Sequence, residues 1–433
     1  MIQKLLYIAL MATLLWSCEA KIDEFKASSG TANFETVVFI GNSLTAGYRD
    51  GALYESGQME SFPAIIAQQL ALGGLNTKEF KQPYMQNEAG FGGRRVLGRS
   101  TSACDTIVSL GPVLMPYTTA DSIANTVNIS AEGPFNNLGV PGAKLQHLFT
   151  PLFQANPHFA RFASNATSTI ISLAQEQEPT FAVVWIGNND VLGYALAGGA
   201  ADAITPTETF RSMFNALEDS IFTGDTKGAI CNIPSITATP FFTTIKPNSL
   251  VLAEAQVAGL NAAYEALSHI NFEVGNNFFV IEDATSPGGR RQITENELLL
   301  LSLPQDSLKC GGWGTAKPIP ANFVLDETEI ANIESAITSY NASIAALASG
   351  NNNIALVDMN SFFNNVHANG IRINGQSFST AFVNGQLFSL DGIHLTGRGY
   401  AIAANQIIKA INNKFNANVP EATVTNYTGV VFP

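Results

Sequence analysis

The sequence predicts an α/β fold with a central parallel sheet, and three observations predict it. Short β-branched or aromatic runs alternate with longer stretches of helical period, the pattern of strands joined by crossover helices. Each short run is followed closely by Gly, Asn, Asp or Pro, as a strand that ends in a turn requires. The chain of 433 residues is 46% hydrophobic and only 13% charged, enough for one large α/β domain with insertions.

The expected strands, in order, are Thr36 to Ile40, Asn136 to Leu138, Phe181 to Ile186, Gly228 to Ile233, Phe278 to Glu282 and Ile354 to Met359. The expected helices are Ser61 to Leu72, Pro157 to Gln175, Thr207 to Phe222, Ser249 to Ile270, Glu327 to Ala348 and Gly397 to Phe415. The fifth begins in Asp326-Glu327-Thr328-Glu329, where acids suit a helix N-terminus. Two segments, about 77–133 and 234–321, are too long for the short connections of an α/β core and read as insertions forming a lid or substrate wall. The domain is expected over 36–416, with a tail at 417–433 packed on it.

Residues 1–17 read as a signal peptide: Lys4 precedes an apolar stretch from Leu5 to Trp16, too short for a membrane span. Leu15-Trp16-Ser17-Cys18 resembles the lipobox of bacterial lipoproteins, which implies lipidation at Cys18 and a tether over 18–35. Residues 19–24 resemble, loosely, the acidic export signals of Bacteroidetes surface lipoproteins. The expected location is the cell envelope, as an outer-membrane lipoprotein facing either the periplasm or the exterior. Membrane contact is expected only through that anchor.

A net charge of −13 with scattered acids and no basic cluster argues against a nucleic-acid partner. Cysteines 104, 231 and 310 allow one disulfide in an oxidising compartment. Cys104 and Cys310 both lie in loop-like sequence near glycines, whereas Cys231, in an apolar run, reads as a buried thiol. No zinc cluster or other metal site is supported, and no cofactor is called for. A monomer is expected.

Four blocks carry chemistry. Val37 to Gly47 is an apolar strand ending at Gly41, with Ser43 where a helix could begin, which exposes a hydroxyl at the sheet's carboxyl edge. A serine there is equally well explained as a helix cap. Asn136 to Ala143 and Trp185 to Asp190 supply the backbone N–H of Gly139 and the amide of Asn189 as hydrogen-bond donors. Asp391-Gly392-Ile393-His394 puts a carboxylate three residues before one of five histidines, a spacing at which it can orient the ring.

Together and in this order, the blocks resemble the SGNH or GDSL family of serine hydrolases, over about Val37 to Phe415. The resemblance implies a three-layer α/β/α, flavodoxin-like fold and a serine ester hydrolase. By the same resemblance Ser43 is the nucleophile, Asp391 and His394 complete the triad, and Ser43, Gly139 and Asn189 form the oxyanion hole. The family's Gly-Asp-Ser-Leu reads Gly41-Asn42-Ser43-Leu44 here, which leaves the triad intact and changes local hydrogen bonding. The expected substrate is a lipid or small acyl ester, with an O-acetylated glycan as the alternative. A noncatalytic surface lipoprotein binding glycan or lipid on the same scaffold is the rival from another class.

Overall fold

The computed structural model describes residues 25–76, 78–102, 104 and 108–433. The signal peptide, Cys18 and most of the tether lie outside the described residues. Five parallel strands form the central sheet: β1 (Val37–Gly41), β2 (Asn137–Gly139), β3 (Phe181–Trp185), β4 (Lys227–Cys231) and β5 (Ile354–Val357). Their spatial order is 5-4-3-1-2, so the winding reverses between β1 and β3, the switch point where α/β sheets open a crevice at their carboxyl edge.

Side chains alternate between two cores, as the pleat demands. Val38, Ile40, Val184 and Ile230 face helices α3 (Ile170–Gln175), α5 (Thr207–Ile221) and α6 (Glu327–Gly350). Phe39, Val183, Trp185 and Ala229 face α2 (Phe62–Leu72) and α8 (Gly397–Phe415). The molecule is a three-layer α/β/α fold. Local chemistry sets the helix starts: Ser61 caps α2, and Asp326 and Glu329 form a reciprocal capping box at α6. The tail returns along the second core, burying Val419, Ala422 and Val424.

Several expected elements differ. The run 278–282 contributes no strand to the sheet; Val280–Glu282 pairs antiparallel with Arg290–Gln292 inside the second insertion, which has its own apolar core around Ile281, Leu299 and Ile319. The helix expected over 157–175 is two helices, Pro157–Ala160 and α3. Between them Ser168 Oγ accepts the N–H of Asn165 at 3.1 Å, and Asn165 Oδ1 accepts that of Thr167 at 2.9 Å, local bonds that compete with a helix. The helix expected over 249–270 shortens to Glu254–Ala263, because Leu250–Leu252 pairs as a strand with Gly275–Asn277. Helices α4 (Asn189–Leu196) and α7 (Met359–Asn369) were not expected; Asp358 caps the latter, accepting the N–H of Ser361 at 3.0 Å, and so ends β5 early.

The two insertions meet. Cys104 of the hairpin Arg95–Thr101/Val108–Leu114 forms a disulfide with Cys310, and Ser102 donates to Asp306 at 2.8 Å beside it. Cys231 is buried and free.

Candidate active site

Ser43 opens α1 (Ser43–Ala46), a single turn directly after β1. As a first-turn residue, it has a backbone N–H that no carbonyl of its own helix can accept. Asn42 caps the turn, its Oδ1 accepting the N–H of Leu44 at 3.0 Å. Its Nδ2 donates to Asn188 Oδ1 at 3.2 Å, so this asparagine ties the first block to the third with a proton that a carboxylate in its place would lack.

His394 Nε2 lies 2.8 Å from Ser43 Oγ, and His394 Nδ1 lies 2.9 Å from Asp391 Oδ2. The carboxylate only accepts, so Nδ1 carries the proton and Nε2 of the neutral ring is free to accept from the serine hydroxyl. Asp391 is satisfied on every side. Oδ2 also accepts from Gly51 N–H at 2.9 Å, and Oδ1 accepts from Ile393 N–H at 2.9 Å and His394 N–H at 2.8 Å. Burial works against its charge, but His394 and the backbone N–H groups of His394 and Ile393 hold the carboxyl well below the usual carboxylate range. The Tyr48 ring lies against the imidazole, with centroids 4.7 Å apart.

Asn189, at the start of α4, faces the same space. Its Nδ2 donates to Ala143 O at 2.9 Å, and an amide has a second hydrogen left for the pocket. Gly139 requires a correction as an oxyanion donor. Its N–H is already donated to Asn137 Oδ1 at 3.0 Å within buried β2. The glycine is there for packing, since a Cβ would lie 2.3 Å from Ala46 N of the serine-bearing turn. Three residues on, Gly142 is exposed at φ +80°, adjacent to the carbonyl that Asn189 grips, and its N–H has no acceptor among the described residues. The second glycine of Gly139-Val140-Pro141-Gly142 was the readable signal, because Pro-Gly is a turn pair that turns backbone N–H groups outward.

Asp190 anchors the same turn from below. Fully buried, it accepts the N–H of Leu145 at 2.9 Å and the hydroxyl of Thr205 at 2.8 Å. Burial pushes its carboxyl up to about 6, with Leu145, Thr205 and Lys144 working in the opposite sense. The folded chain therefore holds this proton more tightly than the unfolded chain, and the associated stability is lost as pH rises from about 4 to about 6. Asp190→Asn is expected to flatten that slope, since the amide oxygen still serves Leu145 and the Thr205 hydroxyl can turn to accept. Urea melts of both proteins across this range measure it; parallel curves would show that Asp190 does not titrate there.

An apolar cavity of about 50 Å³ opens beside Ser43 and His394, lined by Leu44, Leu192, Ile236, Phe363, Phe388 and Leu395 among others. Residues 234–239 of the second insertion supply one wall, and α7 and the loop after it supply another. Among its described residues the first insertion supplies none of the lining. Among the described residues no cluster of ligands could hold a metal ion, and no helix is long and apolar enough to cross a membrane.

A family model described as GDSL-like Lipase/Acylhydrolase matches residues 37–407. No curated protein sequence matches the chain significantly. Among solved structures, a protein described as a GDSL-like lipase from Parabacteroides merdae aligns at 12% identity and TM-score 0.35, covering 88% of this chain and 97% of its own. An α/β hydrolase from the metagenome of Lake Arreo aligns at 11% identity and TM-score 0.37, covering 88% and 96%. A lipase/acylhydrolase from Enterococcus faecalis aligns at 12% identity and TM-score 0.35, covering 90% and 100%.

Proposed function

The chain belongs to the GDSL-like lipase/acylhydrolase family of ester-hydrolysing enzymes, and on that premise we propose that it cleaves short-chain carboxylic esters through a Ser43-His394-Asp391 triad. The observation that carries the reading is the pair of hydrogen bonds through His394, 2.8 Å to the serine and 2.9 Å to the aspartate, at the mouth of an apolar cavity.

Ser43 Oγ attacks the ester carbonyl as His394 Nε2 takes its proton, and Asp391 stabilises the imidazolium without becoming protonated. The tetrahedral oxyanion is held by the N–H of Ser43, the spare amide hydrogen of Asn189 and the N–H of Gly142, each worth roughly 3 kcal/mol in comparable sites. His394 returns the proton to the departing alkoxide, and water, activated by the same nitrogen, then releases the acid from Ser43.

Cavity size bears on the acyl group. An apolar cavity of roughly 150 Å³ accepts a benzene ring, and this one is about 50 Å³, which supports a short acyl chain over a long one. The same volume suits the acetyl group of an O-acetylated glycan. A panel of nitrophenyl esters from acetyl to palmitoyl, with an acetylated xylan beside it, tests both readings. Highest kcat/KM on acetyl to butyryl esters is expected. A rise towards palmitoyl would overturn the short-chain reading, and a folded protein that hydrolyses no ester would overturn the enzyme. The lipobox-like Leu15-Trp16-Ser17-Cys18 supports placing the mature chain at the cell envelope on a lipid anchor.

A further inference from the structure

The first block runs on into Tyr48-Arg49-Asp50-Gly51-Ala52, where the chain folds back within four residues. Arg49 and Ala52 exchange both backbone hydrogen bonds, each 3.1 Å, and the two residues between them have φ of +56° and +80°. Consecutive positive φ values define a type I′ turn, for which Asp-Gly is a favoured pair. Asp tolerates this backbone, so the turn is set by its own two residues and presents its N–H groups and carboxyl to what lies around it.

The surroundings here are the loop that carries Asp391. Asp50 N–H donates to Ser389 Oγ at 2.9 Å, Asp50 Oδ1 accepts from Leu390 N–H at 3.0 Å, and Gly51 N–H donates to Asp391 Oδ2 at 2.9 Å. Three successive residues of the loop are thus gripped by two of the turn. The last bond lands on the same oxygen that receives His394 Nδ1.

Behind the turn lies a relay of buried polar groups. Tyr54 O–H donates to Asp50 Oδ2 at 2.7 Å, Arg49 Nε donates to the Tyr54 oxygen at 2.6 Å, and Arg49 Nη1 donates to Glu60 at 2.6 Å. Tyr54 and Arg49 are buried. Burial raises the Asp50 carboxyl above its ordinary value, although Leu390, Tyr54 and Arg49 favour the anion. Asp50 sits at the back of the Asp391 loop and outside the lining of the cavity beside Ser43.

We propose that Asp50, in the turn it shares with Gly51, is a positioning residue: it fixes the Asp391 loop and so the orientation of the Asp391–His394 pair. This rests on the triad reading above. Without the Asp50 carboxylate, Leu390 N–H and Tyr54 O–H lose their acceptor in a buried site, and a shift of about 1 Å in a supporting loop lowers catalysis on the order of a hundredfold.

Two substitutions separate the carboxylate from the turn. Asp50→Asn keeps a favoured I′ pair and an oxygen for Leu390, whereas Asp50→Gly keeps the backbone turn and its N–H groups but removes the acceptor. The readouts are kcat and KM on the best ester, the end-point fraction labelled by a fluorophosphonate, and Tm. For Asp50→Gly, kcat is expected to fall about 10- to 100-fold with KM within about twofold and labelling still complete. Asp50→Asn is expected to stay within about threefold of the parent. Parent-like kcat in Asp50→Gly, equal losses in both variants, or a kcat loss that tracks the unlabelled fraction would each overturn the proposal. If the parent protein itself takes no label and cleaves no ester, it is the triad reading that fails.

Discussion

Ser43→Ala is expected to lower kcat on the best ester by on the order of 10⁵-fold and to abolish fluorophosphonate labelling, with the fold unchanged. The side chain is small, and its Oγ is paired with His394 Nε2 at the edge of an open cavity. Removing it leaves that nitrogen facing space that water can fill, so the expected stability change is under about 1 kcal/mol. Ser235, Thr239 and Thr380 also line the cavity, but among the described residues only the Ser43 hydroxyl is hydrogen-bonded to the imidazole. Kinetics, labelling and a thermal melt on one preparation measure all three quantities. Residual labelling above a few per cent would point to a different nucleophile.

Asp391→Asn is expected to be nearly as damaging to activity, on the order of 10⁴-fold in kcat, and also to destabilise the fold. The reason is specific to this site. One carboxylate oxygen accepts two backbone N–H groups, and the other accepts Gly51 N–H and His394 Nδ1. An amide placed either way round points its NH₂ at two donors and leaves them unpaired, and the orientation that faces Nδ1 also favours the wrong imidazole tautomer. Its pH signature follows from the depressed carboxyl. The unfolded chain holds that proton more tightly, so the stabilisation is complete above about pH 4 and is lost as pH falls further. The difference in melting temperature between parent and Asp391→Asn is therefore expected to shrink below pH 4. A difference that stays constant there would mean that the folded carboxyl is not depressed.

Asp391 and Asp190 act on stability in opposite directions. The carboxyl of the first is stabilised as an anion by donors on both oxygens, while for the second the Leu145 N–H, the Thr205 hydroxyl and Lys144 do not offset its desolvation. Both carboxyls serve turns at the same carboxyl edge, and they differ in how many N–H groups reach them.

Much of this was legible in the residues. Four of the five strands of the sheet are short, mainly apolar runs ended by a turn residue, and long amphipathic helices such as Gly397–Phe415 declare themselves by their period. Ser43, Asn189, Asp391 and His394 stand in motifs whose order along the chain is itself informative. Local signals failed where partners distant in sequence decided the outcome. Leu250–Leu252 became a strand because Gly275–Asn277 lies beside it, and Val280–Glu282 left the sheet because the second insertion closes a core of its own.

The sequence alone determined which groups with chemistry are present and the strand-then-turn grammar that carries them to one edge of a sheet, because both depend on near neighbours along the chain. Only the tertiary structure decided which of those groups remain free to act. Asn189 reads as an amide in a turn, yet only the closed chain spends one of its hydrogens on Ala143 O, 46 residues earlier, and leaves the other facing the cavity. Asp50-Gly51 reads as an ordinary turn until Asp391, more than three hundred residues later, is seen to hang from it. A hydrogen bond is a property of two groups in space, and whether a donor is spent or available is settled only when the chain has closed on itself.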